Sequence, residues 1–123
     1  MTPELSSSAP SGVAPELAER LQRGLTSVDT LLRAVVDHDD PFIAQASAHL
    51  SEAGGKRFRP MLTLLAAELG SGINDDVVAA ATGVELTHLA SLYHDDVIDE
   101  ANLRRGVASA NAQYGNSNAI LIG

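Results

Sequence analysis

The chain has 123 residues, enough for one small domain, and 45% of them are hydrophobic. Its formal charge of −8 argues against broad nucleic-acid binding, because a basic surface supplies most of the affinity for nucleic acid. The absence of cysteine excludes disulfides and thiolate metal sites and fits a reducing compartment, so we predict a cytoplasmic protein.

The N-terminal residues, "MTPELSSSAPSGVAP", are rich in Ser, Pro and Gly. This composition predicts a disordered lead over residues 1–14, and it lacks the basic and then apolar order of a signal peptide. No apolar run in the chain approaches the roughly 18 residues of a membrane span, so no transmembrane segment is expected. Residues 15–123 would form the folded part.

A long amphipathic helix is predicted over residues 15–37, because apolar residues recur there at spacings of three and four. The members of this apolar stripe are Leu17, Leu21, Leu25, Val28, Leu32 and Val35. Pro41 starts a second, shorter helix, and the pair Gly54 and Gly55 ends it.

Two further helices follow in the sequence. Pro60 suits the first turn of one of them, and Gly70 suits its C-terminal cap. Asn74 suits the N-cap of a long helix that carries "HDDVID" near its end. We find no alternating strand pattern and no internal repeat, and the final "SNAILIG" begins an apolar segment that breaks off. The sequence therefore predicts an all-α fold that is truncated after residue 123.

The segment "LYHDDVIDEANLRRG", residues 92–106, carries a DDxxD pattern formed by Asp95, Asp96 and Asp99. Positions i and i+4 share one face of a helix, so Asp95 and Asp99 are expected to project together, with Asp96 beside them. Like charges at this spacing destabilise an isolated helix by about 0.2–0.5 kcal/mol per pair, and a divalent cation would reverse that repulsion. Hard oxygen ligands that leave room for water and phosphate suit Mg²⁺. A solvated acidic helix end is the alternative interpretation.

Arg104 and Arg105 follow the acids within one loop. Guanidinium groups bind phosphate through two parallel hydrogen bonds, so acids that hold magnesium beside two arginines suit a diphosphate. The alternative is that these arginines pair with the acids at the surface, where such pairs contribute little.

A second basic cluster lies in "GGKRFRP" and contains Lys56, Arg57 and Arg59. Its two glycines would let the backbone approach a ligand closely, and Pro60 would open a helix whose N-terminus attracts anions. A flexible, solvated turn is the alternative.

The order of these motifs resembles that of the trans-polyprenyl diphosphate synthase family. "GGKRFRP", "ELTHLASLYHDDVIDEANLRRG" and "YGNSNAILIG" match the family in order and spacing, and the resemblance covers residues 15–123. It implies the N-terminal helices of an all-α isoprenoid-synthase bundle, with a deep cavity between helices, that works as a homodimer. It also implies a prenyltransferase that uses Mg²⁺ to join an allylic diphosphate to isopentenyl diphosphate.

The resemblance implies a role for individual residues. Isopentenyl diphosphate would be held by Lys56, Arg59, His88 and Arg105. His88 lies seven residues before Asp95, two helical turns away on roughly the same face. Without the resemblance, a histidine buried in the core would be the favoured interpretation of His88.

The same resemblance assigns the allylic diphosphate. Asp95 and Asp99, assisted by Asp96, would hold the magnesium on this group, and Arg104 would bind the group directly. Metal and arginine would stabilise the charge that develops on the leaving diphosphate, so these four residues would be catalytic. Apolar helices would shield the allylic cation from water, and no nucleophilic side chain is needed.

Product length is expected to depend on the residues one helical turn before Asp95, which are Ala90 and Ser91. In the resembled family, bulky aromatic residues near these positions stop the growing chain early. Small residues would leave the tunnel open and predict a long product of the kind used for quinone side chains. The alternative is that Ala90 and Ser91 merely allow close packing in a buried helix.

Several alternatives remain. The family has a second aspartate-rich motif, which these residues lack, so the 123 residues alone are expected to be inactive. Two other functions are compatible with the motifs. One is a short-chain farnesyl or geranylgeranyl diphosphate synthase, and the other is a regulatory subunit of a two-component synthase. Class I terpene cyclases share DDxxD, but "GGKRFRP" argues for an isopentenyl diphosphate site. A calcium-binding loop is disfavoured, because Val97 and Glu100 stand where its pattern requires other residues.

Overall fold

The computed structural model describes residue 12 and residues 14–52 and 55–123. These residues form six helices and one short hairpin, which confirms the predicted all-α class. The elements are α1 (Pro15–Val36), α2 (Pro41–Glu52), α3 (Phe58–Glu68), α4 (Asp75–Ile98), β1 (Leu103–Arg104), β2 (Val107–Ala108), α5 (Ala110–Tyr114) and α6 (Asn116–Ile122). The predicted disordered lead lies outside the described residues, apart from Gly12 and Ala14.

The chain divides into two compact units. The first comprises the described residues up to Leu32 together with Lys56–Glu85, and the second comprises Arg33–Gly55 together with Leu86–Gly123.

The first unit has an aliphatic core built from α1, α3 and the start of α4. Its buried members are Leu21, Leu25, Val28, Met61, Leu64 and Ala81. Gly24 allows a close approach, because a Cβ atom at this position would lie 3.0 Å from Leu64 Cδ1. The apolar stripe predicted for α1 thus supplies three of the six core residues, whereas Val35, at the end of that stripe, is 50% exposed.

Some of the helix ends lie where the capping residues in the sequence predicted them. Asn74 caps α4 as predicted, since its Oδ1 accepts a hydrogen bond from the Val77 backbone N–H at 2.9 Å. Helix α3 begins at Phe58, two residues before Pro60, and its C-cap is Leu69 rather than the predicted Gly70.

In the second unit, Tyr93 of α4 is buried against α2. Its hydroxyl donates to the Ala46 carbonyl oxygen at 2.6 Å and accepts from the Leu50 backbone N–H at 3.3 Å. Burial raises the pKa of the Tyr93 hydroxyl, although backbone hydrogen bonds at Leu50 and His49 oppose the shift. These contacts hold α2 against the C-terminal half of α4.

The hairpin is an element that the sequence did not predict. Strands β1 and β2 pair antiparallel, with Leu103 opposite Ala108 and Arg104 opposite Val107. The two-residue loop between them, Arg105 and Gly106, has positive φ at both positions, as the tightest hairpin turns require. Two-residue strands are too short to show alternation, so periodicity could not have revealed them.

Candidate functional site

The three aspartates of the DDxxD pattern lie at the C-terminal end of α4, and the structure separates them. Asp95 and Asp96 are in the last turn, and Asp99 is the residue after the helix, where its N–H donates to the Asp95 carbonyl oxygen at 2.8 Å. Asp95 and Asp99 are exposed, whereas Asp96 is 0% exposed. The pattern therefore presents two carboxylates to solvent and buries the third.

Asp96 is paired with Arg104 of β1. Its Oδ1 accepts from Arg104 Nη2 at 2.6 Å and from Arg104 Nε at 2.9 Å. The pKa of Arg104 is raised, first by the hydrogen bond to Asp96 and further by the charges of Asp96, Asp95 and Asp99. The arginine does pair with an acid of the motif, but with the buried one rather than at the surface.

The side chain of Arg105 contacts the C-terminal end of α2. Its Nη1 donates to the Leu50 carbonyl oxygen at 3.2 Å. A Cβ atom built on Gly55 would lie 2.8 Å from Arg105 Cζ and 2.9 Å from its Nη1. The glycine was expected to admit a ligand, and in this structure it admits the Arg105 guanidinium.

The basic residues of the "GGKRFRP" cluster also differ in exposure. Lys56 and Arg59 are exposed, whereas Arg57 is buried and lies within ion-pair distance of Glu85, at 3.4 Å, and Asp29, at 3.3 Å. Arg57 is therefore paired with two acids of the first unit, whereas the side chains of Lys56 and Arg59 are exposed.

Other predicted residues lie along α4. His88 is half-buried, and its carbonyl oxygen accepts from Ser91 Oγ at 2.6 Å. Ala90 is half-buried and lines an open, largely apolar cavity of about 270 Å³ in the second unit, whereas Ser91 is exposed and is not among the residues that line it. The cavity-lining residues are Val35, Val36, Asp37, His38, Ile43, Ser47, Leu86, Leu89, Ala90, Tyr93 and Ile122.

Some residues with clear roles carried no signal in the sequence. His49 Nε2 lies 2.6 Å from the Ala108 carbonyl oxygen and so connects α2 to β2. The burial of Asp96, in contrast, has a signal: Leu89, Leu92, Tyr93 and Asp96 recur at spacings of three and four, and all four are buried.

The exposed carboxylates at the end of α4 suit a hard cation. In the part of the chain that the structure describes, no three His, Asp or Glu side chains are grouped so as to hold a metal ion. Asp95 and Asp99 nevertheless supply exposed carboxylates at i and i+4, and Mg²⁺ binds through one or two carboxylates together with water and substrate phosphate. The residues present therefore fit a magnesium ion that also binds phosphate oxygens.

A helical protein that carries two exposed carboxylates close to a fixed arginine is suited to bind a metal-bound anion. The polyprenyl synthetase family model matches residues 40–123. The chain belongs to the polyprenyl synthetase family. None of the helices in the described part of the chain combines the length and the apolar character that a membrane crossing requires.

Individual relatives agree with this assignment. The nonaprenyl diphosphate synthase of Mycobacterium tuberculosis is 46% identical over 107 residues, which are 86% of this chain and 32% of that protein. The polyprenyl synthase of Caulobacter crescentus CB15, complexed with calcium and isoprenyl diphosphate, has a TM-score of 0.81 and 35% identity, over 92% of this chain and 34% of that one.

Geranylgeranyl pyrophosphate synthase of Corynebacterium glutamicum, complexed with calcium and isoprenyl diphosphate, has a TM-score of 0.74 and 46% identity, over 89% of this chain and 33% of that one. The chain thus spans about a third of the length of the relatives that it matches.

Proposed function

We propose that the protein is a polyprenyl diphosphate synthase, which condenses an allylic diphosphate with isopentenyl diphosphate head to tail. The observation that carries the proposal is the exposed pair Asp95 and Asp99 beside Arg104, in a chain of the polyprenyl synthetase family. Relatives named for nonaprenyl and geranylgeranyl products, and two structures with bound isoprenyl diphosphate, support it.

In the proposed reaction, the C–O bond of the allylic diphosphate breaks and its electron pair leaves with the diphosphate. The double bond of isopentenyl diphosphate supplies the electrons of the new C–C bond, and a proton is then lost. Mg²⁺, when bound, would neutralise charge on the leaving group. Asp95 and Asp99 would hold that ion, and Arg104 would stabilise the departing diphosphate through guanidinium N–H groups.

The residues proposed for isopentenyl diphosphate are Lys56, Arg59, His88 and Arg105. Exposed cations at Lys56 and Arg59 support an anion site, since neither side chain is buried in the core of the first unit. The assignment of all four to one ligand rests on the family resemblance.

We propose a product longer than four isoprene units, of the kind used for quinone side chains. The small side chain of Ala90 beside an apolar cavity supports this length, as does the relative named for a nonaprenyl product. A four-unit product is the second candidate, because a geranylgeranyl pyrophosphate synthase is equally identical to this chain. Assembly as a homodimer, a cytoplasmic location and inactivity of the 123 residues alone are further parts of the proposal.

Activity of the full-length protein with labelled isopentenyl diphosphate and an allylic diphosphate tests the function. We expect prenyl transfer that is lost on magnesium removal with EDTA and restored when magnesium is returned. Asp95→Ala and Asp99→Ala should each lose most of the activity with helix content unchanged by circular dichroism. Asp76→Ala, which changes an exposed acid at the start of the same helix, is the matched control. Near-normal turnover of Asp95→Ala would contradict the metal assignment.

A further inference from the structure

We propose that Asp96 is a positioning residue for Arg104 rather than a metal ligand. The inference deepens the proposed function and rests on it, because it divides the DDxxD pattern into two exposed metal ligands and one buried anchor.

Asp96 is buried, unlike the other two acids of the motif. Its side chain is 0% exposed, whereas Asp95 and Asp99 are exposed. A hydrated divalent cation needs direct access to a carboxylate oxygen. Additional protein around this helix would add to the burial of Asp96 and would not reduce it. In this arrangement, Asp96 Oδ1 is occupied by Arg104 and Oδ2 is buried, so neither oxygen is accessible to a hydrated ion.

The ion pair with Asp96 uses one side of the Arg104 guanidinium. Both hydrogen bonds from Arg104 go to one oxygen, Asp96 Oδ1, and they come from the Nε and Nη2 side of the guanidinium. A guanidinium has five N–H donors, so three of them are not used by Asp96. The Arg104 side chain is 30% exposed. Asp96 thus fixes one side of the guanidinium and leaves donors on the other for a phosphate.

Hydrogen bonds of the main chain also connect the segments that carry Asp96 and Arg104. The Ala101 N–H donates to the Asp96 carbonyl oxygen at 2.9 Å, and the Ala101 carbonyl oxygen accepts from Ser109 Oγ at 2.7 Å and from Asn111 Nδ2 at 2.9 Å. The segment that carries Arg104 is therefore connected to α4 at Asp96 through the main chain as well as the side chain. A fixed arginine loses less conformational entropy when it binds an anion.

Electrostatics explain why the buried Asp96 is paired with a cation. A buried carboxylate is costly unless it is paired, and Asp96 Oδ2 has no hydrogen-bond partner among the described residues. Arg104 is thus the cation that compensates Asp96. Removing the charge at Asp96 should free the guanidinium to move, without removing a metal ligand.

The test compares Asp96→Asn with Asp95→Asn in the full-length protein. Two quantities are measured: the magnesium concentration that gives half-maximal rate, and the KM for the allylic diphosphate. Binding of inorganic diphosphate with magnesium, followed by titration calorimetry, supplies a readout that does not depend on turnover.

For Asp95→Asn, we expect the magnesium requirement to rise about tenfold, which corresponds to the loss of one charged ligand interaction. For Asp96→Asn, we expect an unchanged magnesium requirement. The KM for the allylic diphosphate should be roughly tenfold higher, and inorganic diphosphate should bind more weakly. In the Arg104→Lys background, Asp96→Asn should add little, because the two residues act as one unit.

A magnesium requirement that shifts in Asp96→Asn as it does in Asp95→Asn would overturn the proposal, and so would full additivity with Arg104→Lys. Asp96→Glu is the second variant in case Asp96→Asn does not fold: it keeps the charge but displaces the guanidinium, so the KM should change and the magnesium requirement should not. A wild-type protein that binds diphosphate through this pair but transfers no prenyl group would contradict the proposed function and leave the positioning role intact.

Discussion

The Arg105 guanidinium donates to the carbonyl oxygen of Leu50 near the C-terminal end of α2, at an N–O distance of 3.2 Å. The last four carbonyl groups of a helix have no partner within the helix, and its C-terminus favours a positive charge. Arg105 itself has a positive φ of 56° in the hairpin turn. Its side chain is therefore directed by two features that are distant in sequence, a hairpin turn and a helix end.

Gly55→Ala should displace the Arg105 guanidinium. The added Cβ would lie 2.8 Å from Cζ, and the φ of +138° at Gly55 is unfavourable for alanine. We expect the KM for isopentenyl diphosphate to rise about tenfold, which is about 1.4 kcal/mol of binding free energy. Steady-state kinetics of the full-length protein measure it. Gly83→Ala is the control, since its added Cβ would meet nothing within 4 Å apart from its chain neighbours and the backbone of its own helix. Equal effects at both positions would contradict the role of Gly55.

Glu85→Ala should destabilise the protein strongly. Removing one member of a buried ion pair is strongly destabilising, and the side chains of Glu85 and Arg57 are only 3% and 8% exposed. Without Glu85, the buried Arg57 guanidinium would be left with Asp29, which is 29% exposed, as its other acidic partner. We expect the free energy of unfolding to fall by about 3 kcal/mol, measured by urea denaturation. Glu19→Ala, which removes an exposed ion pair with Arg23, should cost about 0.3–0.5 kcal/mol. A loss below about 1 kcal/mol for Glu85→Ala would show that Arg57 is compensated without it.

Tyr93 should make stability depend on pH in the alkaline range. Burial raises the pKa of its hydroxyl, so the folded state holds the proton more tightly than the unfolded state, in which the pKa is about 10. This stabilisation is fully present below pH of about 10 and is lost as the pH rises through the raised pKa.

Urea denaturation between neutral and alkaline pH, with Tyr93→Phe as the comparison, measures this effect. Tyr93→Phe should lose about 1 kcal/mol at neutral pH, because its hydrogen bonds to α2 are removed, and should show a smaller alkaline decrease. If the free energy of unfolding fell equally with rising pH in the wild type and in Tyr93→Phe, Tyr93 would not be the source of the alkaline decrease.

Ala90→Phe should shorten the product. The added ring would occupy part of the cavity of about 270 Å³ that Ala90 lines, and a bulky residue there is expected to block a growing chain. Chromatography of the products of the full-length protein measures chain length. Ser91→Phe is the paired variant: both positions were predicted from the sequence, but Ser91 is exposed. A wild-type product of three or four units, or no shortening in either variant, would contradict the open-tunnel interpretation.

The sequence by itself determined the helical class, the family and the order of the charged motifs. Helix periodicity placed Leu21, Leu25 and Val28 on one side of α1, and the Asn74 cap was readable because capping involves residues only three apart. The spacing of Asp95 and Asp99 was readable for the same reason, since i and i+4 share a face of any helix. Each of these features depends on contacts between near neighbours in the chain.

Only the tertiary structure decided which charged residues have buried partners. Asp95 and Asp96 are adjacent and chemically identical, and Arg57 stands between Lys56 and Arg59, yet Asp96 and Arg57 are buried with partners. Those partners lie 8 residues away for Asp96 and 28 for Arg57. Whether a charge is solvated or paired depends on which face of its element is covered by another segment. Spacing along one helix defines the faces, but packing between distant segments selects the covered one.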